Sequence, residues 1–275
     1  MAAIMRNACV LKAKLDAGQV SFGAWQMLPG QYVSRAIAQS GFDWVLIDCE
    51  HGAISDKEMH EAIHAVASCG ASPIVRTPSL DSWFIKRALD AGAHGVLLPL
   101  LRTADNAREI VAAAKFPPIG QRGFGSPFSM SSFDSNGKLS GLAYMDNANA
   151  YVTTVVQIET KEALDNIEDI AAVEGIDVLF VGPFDLGNSI GHPVRGGFDD
   201  ELRAAISKVH ESAVKAGKSS GIYCPDGKTA RIYADAGFKM ISVVNDMSVL
   251  PLGLAKALSQ AKGSKLEAAG VAYGS

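Results

Sequence analysis

The chain of 275 residues is long enough for one large α/β barrel or for two ordinary domains. Apolar residues make up 48% and charged residues 20%, a balance that excludes disorder for most of the chain and leaves ample material for a core. Its net charge of −4, with Lys and Arg scattered rather than gathered among aromatics, argues against a nucleic-acid partner.

The N-terminal stretch MAAIMRNACVLKAKLDAG has neither a long apolar leader core nor an Arg/Ser-rich transit composition, and reads as a helical segment. No apolar run approaches the roughly 20 residues of a membrane span, so no membrane partner and a cytoplasmic location are expected. The four cysteines, Cys9, Cys49, Cys69 and Cys224, lack C-x-x-C spacing and are expected to be reduced and mostly buried.

Beyond that segment, short apolar or β-branched runs alternate with longer stretches of helical period, the pattern of parallel βα units. The runs are Val20–Trp25, Trp44–Asp48, Pro73–Arg76, Gly95–Leu100, Thr153–Glu159, Val178–Gly182, Ser219–Tyr223 and Met240–Asn245. Between them, helices are predicted from Ser55 to Gly70, Asp81 to Gly92 and Thr103 to Lys115. Others run from Thr160 to near Gly175, about Asp199 to Gly217, about Asp226 to Gly237, and from near Ser248 onward. The starts carry capping residues, and Ala-Gly pairs close three of the helices because glycine accepts the left-handed conformation at the end of a helix. Eight strand–helix repeats predict a single (β/α)8 TIM barrel over residues 1–261, with 262–275 as a flexible tail. One insertion, 120–149, rich in Gly, Ser and Asn, breaks the rhythm and is expected to be a functional or mobile loop.

In a parallel barrel the C-terminal strand ends share one mouth, and here they carry chemistry: Asp48-Cys49-Glu50-His51, Arg76, Gln157-Ile158-Glu159, Gly182-Pro183-Phe184-Asp185 and Asn245-Asp246. Burying unpaired charges at the ends of apolar runs is costly, so a shared polar site is the simplest explanation. Glu159 and Asp185 end neighbouring strands and offer hard oxygen ligands suited to Mg2+ or Mn2+, with Co2+ as a further option. The plain alternative is two solvated carboxylates. Arg76 is suited to clamping a carboxylate or an enolate oxygen, or to a salt bridge across the mouth. His51 is a proton carrier whose tautomer Asp48 could fix, or simply a loop residue. His60-Glu61-Ala62-Ile63-His64 matches the H-E-x-x-H pattern of zinc peptidases, but its helix follows the second strand and belongs to the outer ring, where two partly exposed histidines are the plainer reading. No Walker sequence or dinucleotide fingerprint is present, and no organic cofactor is expected.

The segments WVLIDCEH, PIVRT, GVLLPL, GQRGFG, VVQIET and LFVGPFDL, in this order between about Phe22 and Asn245, closely resemble the signature segments of the HpcH/HpaI family of metal-dependent pyruvate aldolases. The resemblance implies a barrel of the phosphoenolpyruvate/pyruvate-domain type. It implies metal ligands at Glu159 and Asp185, a pyruvate-binding glutamine at Gln157, a transition-state arginine at Arg76 and a catalytic histidine at His51 with Asp48 beside it. Trp25, Gly182, Pro183 and Phe184 are the further expected substrate contacts. Asp90 corresponds to an aspartate that raises the histidine's basicity, yet the end of its helix should lie at the bottom of its own barrel, so a neighbouring subunit is the expected route. Cys49 stands where the family usually has glycine, Phe184 where it commonly has a small residue, and the loop SPFSMSSFDSN departs strongly. The implied reaction is cleavage of a 4-hydroxy-2-oxoacid to pyruvate and an aldehyde through a metal-stabilised enolate. The alternatives are an oxaloacetate decarboxylase or macrophomate-synthase-like reaction on the same enolate and, remotely, the zinc peptidase of His60 and His64. A small-molecule substrate and a homo-oligomer, a hexamer or trimer of dimers often with exchanged C-terminal helices, are implied as well.

Overall fold

A computed structural model describes residues 2–264. The expected flexible tail lies outside the described residues from Lys265 onward; its first residue, Lys262, closes the last helix. Two short helices, α1 (Ala2–Ala8) and α2 (Val10–Asp16), precede β1 (Ser21–Gln26) and α3 (Gln31–Ala38). Then follow β2 (Trp44–Asp48), α4 (Asp56–Ala67), β3 (Ser72–Arg76), α5 (Ser82–Asp90), β4 (Gly95–Leu98) and α6 (Ala104–Ala114). After an insertion containing α7 (Gly141–Tyr151) come β5 (Thr153–Ile158), α8 (Lys161–Asp165), α9 (Ile167–Ala172), β6 (Val178–Val181) and α10 (Pro183–Ile190). The chain continues through α11 (Asp200–Lys215), β7 (Ser219–Tyr223), α12 (Gly227–Asp235), β8 (Met240–Asn245) and α13 (Asp246–Lys262).

The eight strands pair in parallel in chain order and close β1 onto β8, so the predicted (β/α)8 barrel is the fold. Successive strand residues face opposite sides, and this sorts the core into two layers. Trp44, Leu46, Ile74, Val155, Val178 and Phe180 fill the barrel with Trp25 and Met240. Ile47, Val75, Val96, Val156, Leu179 and Val181 face the helices instead. Gly23 belongs to the inner layer for a steric reason: a Cβ there would lie 2.1 Å from the Trp44 ring. Leu11 of α2 joins the barrel interior, and its N–H donates to Ser72 Oγ at 3.1 Å, so the N-terminal segment plugs the bottom.

The insertion differs from the expected loop. Gly141–Tyr151 is helical, capped by Ser140, whose Oγ accepts from Ala143 N–H, and the preceding stretch packs beneath the barrel rather than over its mouth. Ser126 Oγ donates to the Asp90 carbonyl at 2.6 Å, His94 Nε2 lies 3.2 Å from the Ser132 carbonyl, and the His94 and Phe133 rings stack at 4.2 Å. Connections from a helix to the next strand lie at the N-terminal face, so chain order alone places this segment there.

Candidate active site

The inward parity that builds the barrel core continues one step further into chemistry. Past Leu46 comes Asp48, past Ile74 comes Arg76, past Val155 come Gln157 and then Glu159, and past Phe180 comes Gly182. Asp48 and Arg76 sit opposite each other in register. Asp48 is fully buried and accepts from Arg76 Nε at 2.9 Å, Arg76 Nη2 at 2.6 Å and Trp25 Nε1 at 3.0 Å. Burial alone would raise its pKa, but the hydrogen bonds and charge of Arg76, helped by Trp25, hold it below the ordinary carboxylate value. Arg76 is only 6% exposed; its Nη1 lies 2.9 Å from Glu50, and its guanidinium stands 4.8 Å over the Trp25 ring. Burial works against its charge, yet Asp48 and then Glu50 and Glu159 raise its pKa.

Glu159 is 3% exposed, accepts from the Leu100 N–H at 2.7 Å and also accepts from Gln157 Nε2. Leu100 holds that N–H in place with a left-handed backbone, φ 58°, which an L side chain adopts only at a cost. Burial, outweighing the Leu100 hydrogen bond and joined by the charges of Glu50 and Asp185, pushes Glu159 up to about 7. Asp185 reaches the mouth from the first turn of α10, a helix that opens on Pro183 directly after β6. Gln157 Oε1 is buried without a partner. A Cβ on Gly182 would come within 2.7 Å of Gln157 Nε2 and 2.9 Å of Glu159 Oε2, so the missing side chain keeps space open above both. A buried Glu159 whose pKa is raised by burial and by the charges of Glu50 and Asp185, an orphaned amide oxygen and a glycine-cleared space fit a divalent cation held by oxygen ligands.

Asp48, His51, Arg76, Gln157, Gly182, Pro183, Phe184, Asp185 and Trp25 line one cavity of about 300 Å3, together with Met27, Tyr223 and Asn245. The His51 ring is half-exposed, 3.9 Å from Glu50. Asp48 accepts the His51 backbone N–H at 3.2 Å, so it fixes the turn that carries the ring. Asp90 is not part of this gathering. It pairs with Arg122 at 3.3 Å and lines a separate cavity with His60, Lys86, Arg87 and residues 123–128. The sequence places Glu50 at the mouth without giving it a role, and shows no sign of Leu100, Met27 or Tyr223 in the site. The parity of β7 could have found Tyr223, whereas Leu100 acts through its backbone and leaves no side-chain signal.

The H-E-x-x-H histidines lie on α4, with His60 3.0 Å from Arg87 and Glu61 paired to Lys57. Among the described residues, the group of three or more His, Cys, Asp or Glu side chains close enough to share an ion is instead the partly exposed trio His192, Asp199 and Glu201, around the start of α11. There Asp199 already serves as a helix cap, accepting the Leu202 N–H at 2.9 Å. All four cysteines are free thiols, and Cys49 is half-buried.

Comparison with known proteins agrees with this geometry. The family model described as HpcH/HpaI aldolase/citrate lyase matches residues 22–250. A hydroxypyruvate/pyruvate aldolase of Roseobacter denitrificans is 34% identical over 87% of this chain and 91% of that protein. A pyruvate aldolase of Rhizobium etli is 38% identical over 88% and 93%. The crystal structure of an HpcH/HpaI aldolase/citrate lyase family protein from Burkholderia cenocepacia superposes with a TM-score of 0.83 at 32% identity, covering 92% of this chain and 99% of that one.

Proposed function

On the premise that the chain belongs to the HpcH/HpaI aldolase/citrate lyase family of lyases, we propose that it is a divalent-metal-dependent aldolase that cleaves 4-hydroxy-2-oxoacids to pyruvate and an aldehyde. The observation that carries this reading is Asp185 in the lining of a cavity that also holds Arg76, Gln157 and His51, with Glu159 buried behind that lining, accepting from Gln157 Nε2 and feeling the charge of Asp185. They would hold Mg2+, Mn2+ or Co2+, which supplies Lewis-acid polarisation of the carboxylate and keto oxygens of the 2-oxoacid. Gln157 and the first turn of α10, whose helix N-terminus favours an anion, would orient the pyruvate half. Arg76 would place fixed positive charge where the enolate's negative charge grows. His51, exposed at the rim, would take the proton from the C4 hydroxyl as the C3–C4 bond breaks, and return it to solvent. Glu50, set between Arg76 and His51, would share that proton's electrostatic environment.

Asp90 would serve such a site only from a second copy of the chain, and we propose a homo-oligomer, a hexamer or trimer of dimers. In support, α13 buries none of its residues and exposes Met247, Val249, Leu250, Leu252, Leu254 and Leu258.

Release of pyruvate from a 4-hydroxy-2-oxoacid, followed with and without a chelator, tests the reading. Activity should vanish on chelation, return with Mg2+ or Mn2+, and fall about 10²- to 10³-fold or more in Glu159→Ala, the scale of losing a charge stabiliser in an active site. A Glu159→Ala chain as active as the parent would overturn it. Oxaloacetate run in parallel separates the decarboxylase alternative, which needs no aldehyde.

A further inference from the structure

The mouth cavity has two chemically different kinds of lining. Arg76, Gln157, Asp185, Asp48 and His51 are its polar and charged lining, and Trp25, Phe184 and Tyr223 form an aromatic wall, with the Tyr223 hydroxyl taken up by a hydrogen bond from Asn245 Nδ2 at 2.6 Å. The Tyr223 ring stands edge-on to Trp25 at 5.4 Å and 89°, and 6.0 Å from Phe184 at 68°. These contacts fix the rings against one another, so the wall is preorganised rather than assembled on binding. Phe184 and Tyr223 are half-buried, and Phe184 is carried on the first turn of α10, next to Asp185 in the chain. Phe184 and Asp185 both line the cavity, so an aromatic ring and a carboxylate share it.

Charge decides what can lie there. Among the described residues lining the cavity, Arg76 is the sole Lys or Arg, and its donors already face Asp48 and Glu50. Three carboxyl groups, Asp48, Glu50 and Glu159, act on that single guanidinium, and Asp185 lies close enough to act on Glu50 and Glu159, so a bound divalent cation still leaves the carboxylates in excess. The carboxylate of the pyruvate half has the cation to meet. A second anionic group on the aldehyde half has no cation of its own and faces a wall of rings, where an unpaired charge is costly to desolvate. A cavity of about 300 Å3 sits at the small end of ligand sites, which limits the acceptor to one ring or a chain of a few carbons.

We propose that the aldehyde half of the substrate is uncharged and apolar, a small aromatic or alkyl aldehyde seated against Trp25, Phe184 and Tyr223. This deepens the aldolase reading and rests on it. In the synthetic direction C3 of the pyruvate enolate attacks the aldehyde carbon, the C–C bond forms, and the carbonyl oxygen takes one proton to give the 4-hydroxy-2-oxoacid. Cleavage is the reverse, with the enolate taking a proton at C3.

The test uses the full chain with Mn2+ and has two stages. Exchange of pyruvate methyl protons in D2O, followed by NMR, reports enolate formation without any acceptor. Competition among benzaldehyde, butanal, glycolaldehyde and succinic semialdehyde then ranks the acceptors. Benzaldehyde and butanal should exceed the other two by about 10-fold or more in kcat/KM, the scale on which an apolar pocket discriminates. Phe184→Ala should reduce that ratio by a similar factor. The ranking of the unaltered chain needs no variant, so a Phe184→Ala protein that misfolds leaves the test standing. Methyl exchange combined with a preference for succinic semialdehyde or glycolaldehyde would overturn this inference alone. Absence of exchange would overturn the aldolase reading and this inference with it.

Discussion

The Arg76 guanidinium uses each of its edges: Nε and Nη2 meet Asp48, Nη1 faces Glu50, and the planar face covers Trp25. A lysine offers one compact charge and can reproduce neither the two-pronged contact nor the stacking. Arg76→Lys should therefore leave the buried Asp48 incompletely paired, destabilising the fold by about 3 kcal/mol, near the cost of breaking a buried ion pair. It should also lower turnover far beyond what its retained charge suggests. Urea unfolding and steady-state rates check both; a variant with unchanged midpoint and rate would contradict the role given to the fork. At this scale Asp48, Arg76, Gln157 and Glu159 could be read directly from the sequence, since each is a polar residue at the end of an apolar run. The role of Glu50, and any part for Leu100, could not. Glu50 lies past the strand, where period-two parity no longer says which way a side chain turns, and Leu100 contributes an N–H rather than a side chain.

The strands were legible to within a residue or two because their apolar runs are continuous, while three helices, α3, α7 and α10, were not. α10 begins at Pro183 without a side-chain cap, only one residue after β6 ends at Val181, so GPFDL reads as a strand end. α7 is hidden in a stretch whose Gly and Asn content reads as loop, and its register shows only through packing: Tyr144 and Ala148 are buried against the barrel. The insertion before it is anchored by His94, which is buried with Nδ1 lacking a partner, and burial lowers its pKa to about 4. An unfolded histidine takes up a proton near pH 6.5, whereas the folded chain refuses it until about pH 4. The stability gained by keeping it neutral is therefore complete above about pH 6.5 and is lost as pH falls through about 4. At 1.36 kcal/mol per pH unit this comes to about 3 kcal/mol. Thermal unfolding between pH 7 and 4 should show a shallower acid decline in His94→Gln than in the parent chain; parallel curves would contradict the account.

At the scale of the whole molecule, closed β1–β8 pairing puts every functional strand end on one face and the insertion with Asp90 on the other. Among the described residues no helix is long and apolar enough to cross a membrane. On the proposed homo-oligomer another copy covers the exposed apolar row of α13, and light scattering after size exclusion should give a mass several times that of one chain. Removing residues 247–275 should lower that mass; a full-length monomer would remove the proposed route for Asp90. The barrel was legible because eight repeats each carry the same signal, but assembly was not, since an apolar helix face reads the same whether its cover lies within the chain or beyond it. The account as a whole depends on Glu159 and Asp185 gripping one cation. Calorimetric titration of Mn2+ into the chelator-treated protein, with and without pyruvate, measures this most directly. One ion per chain, bound more tightly when pyruvate is present and lost in Glu159→Gln, is the result the account predicts; Mn2+ binding that is undiminished in Glu159→Gln would contradict it.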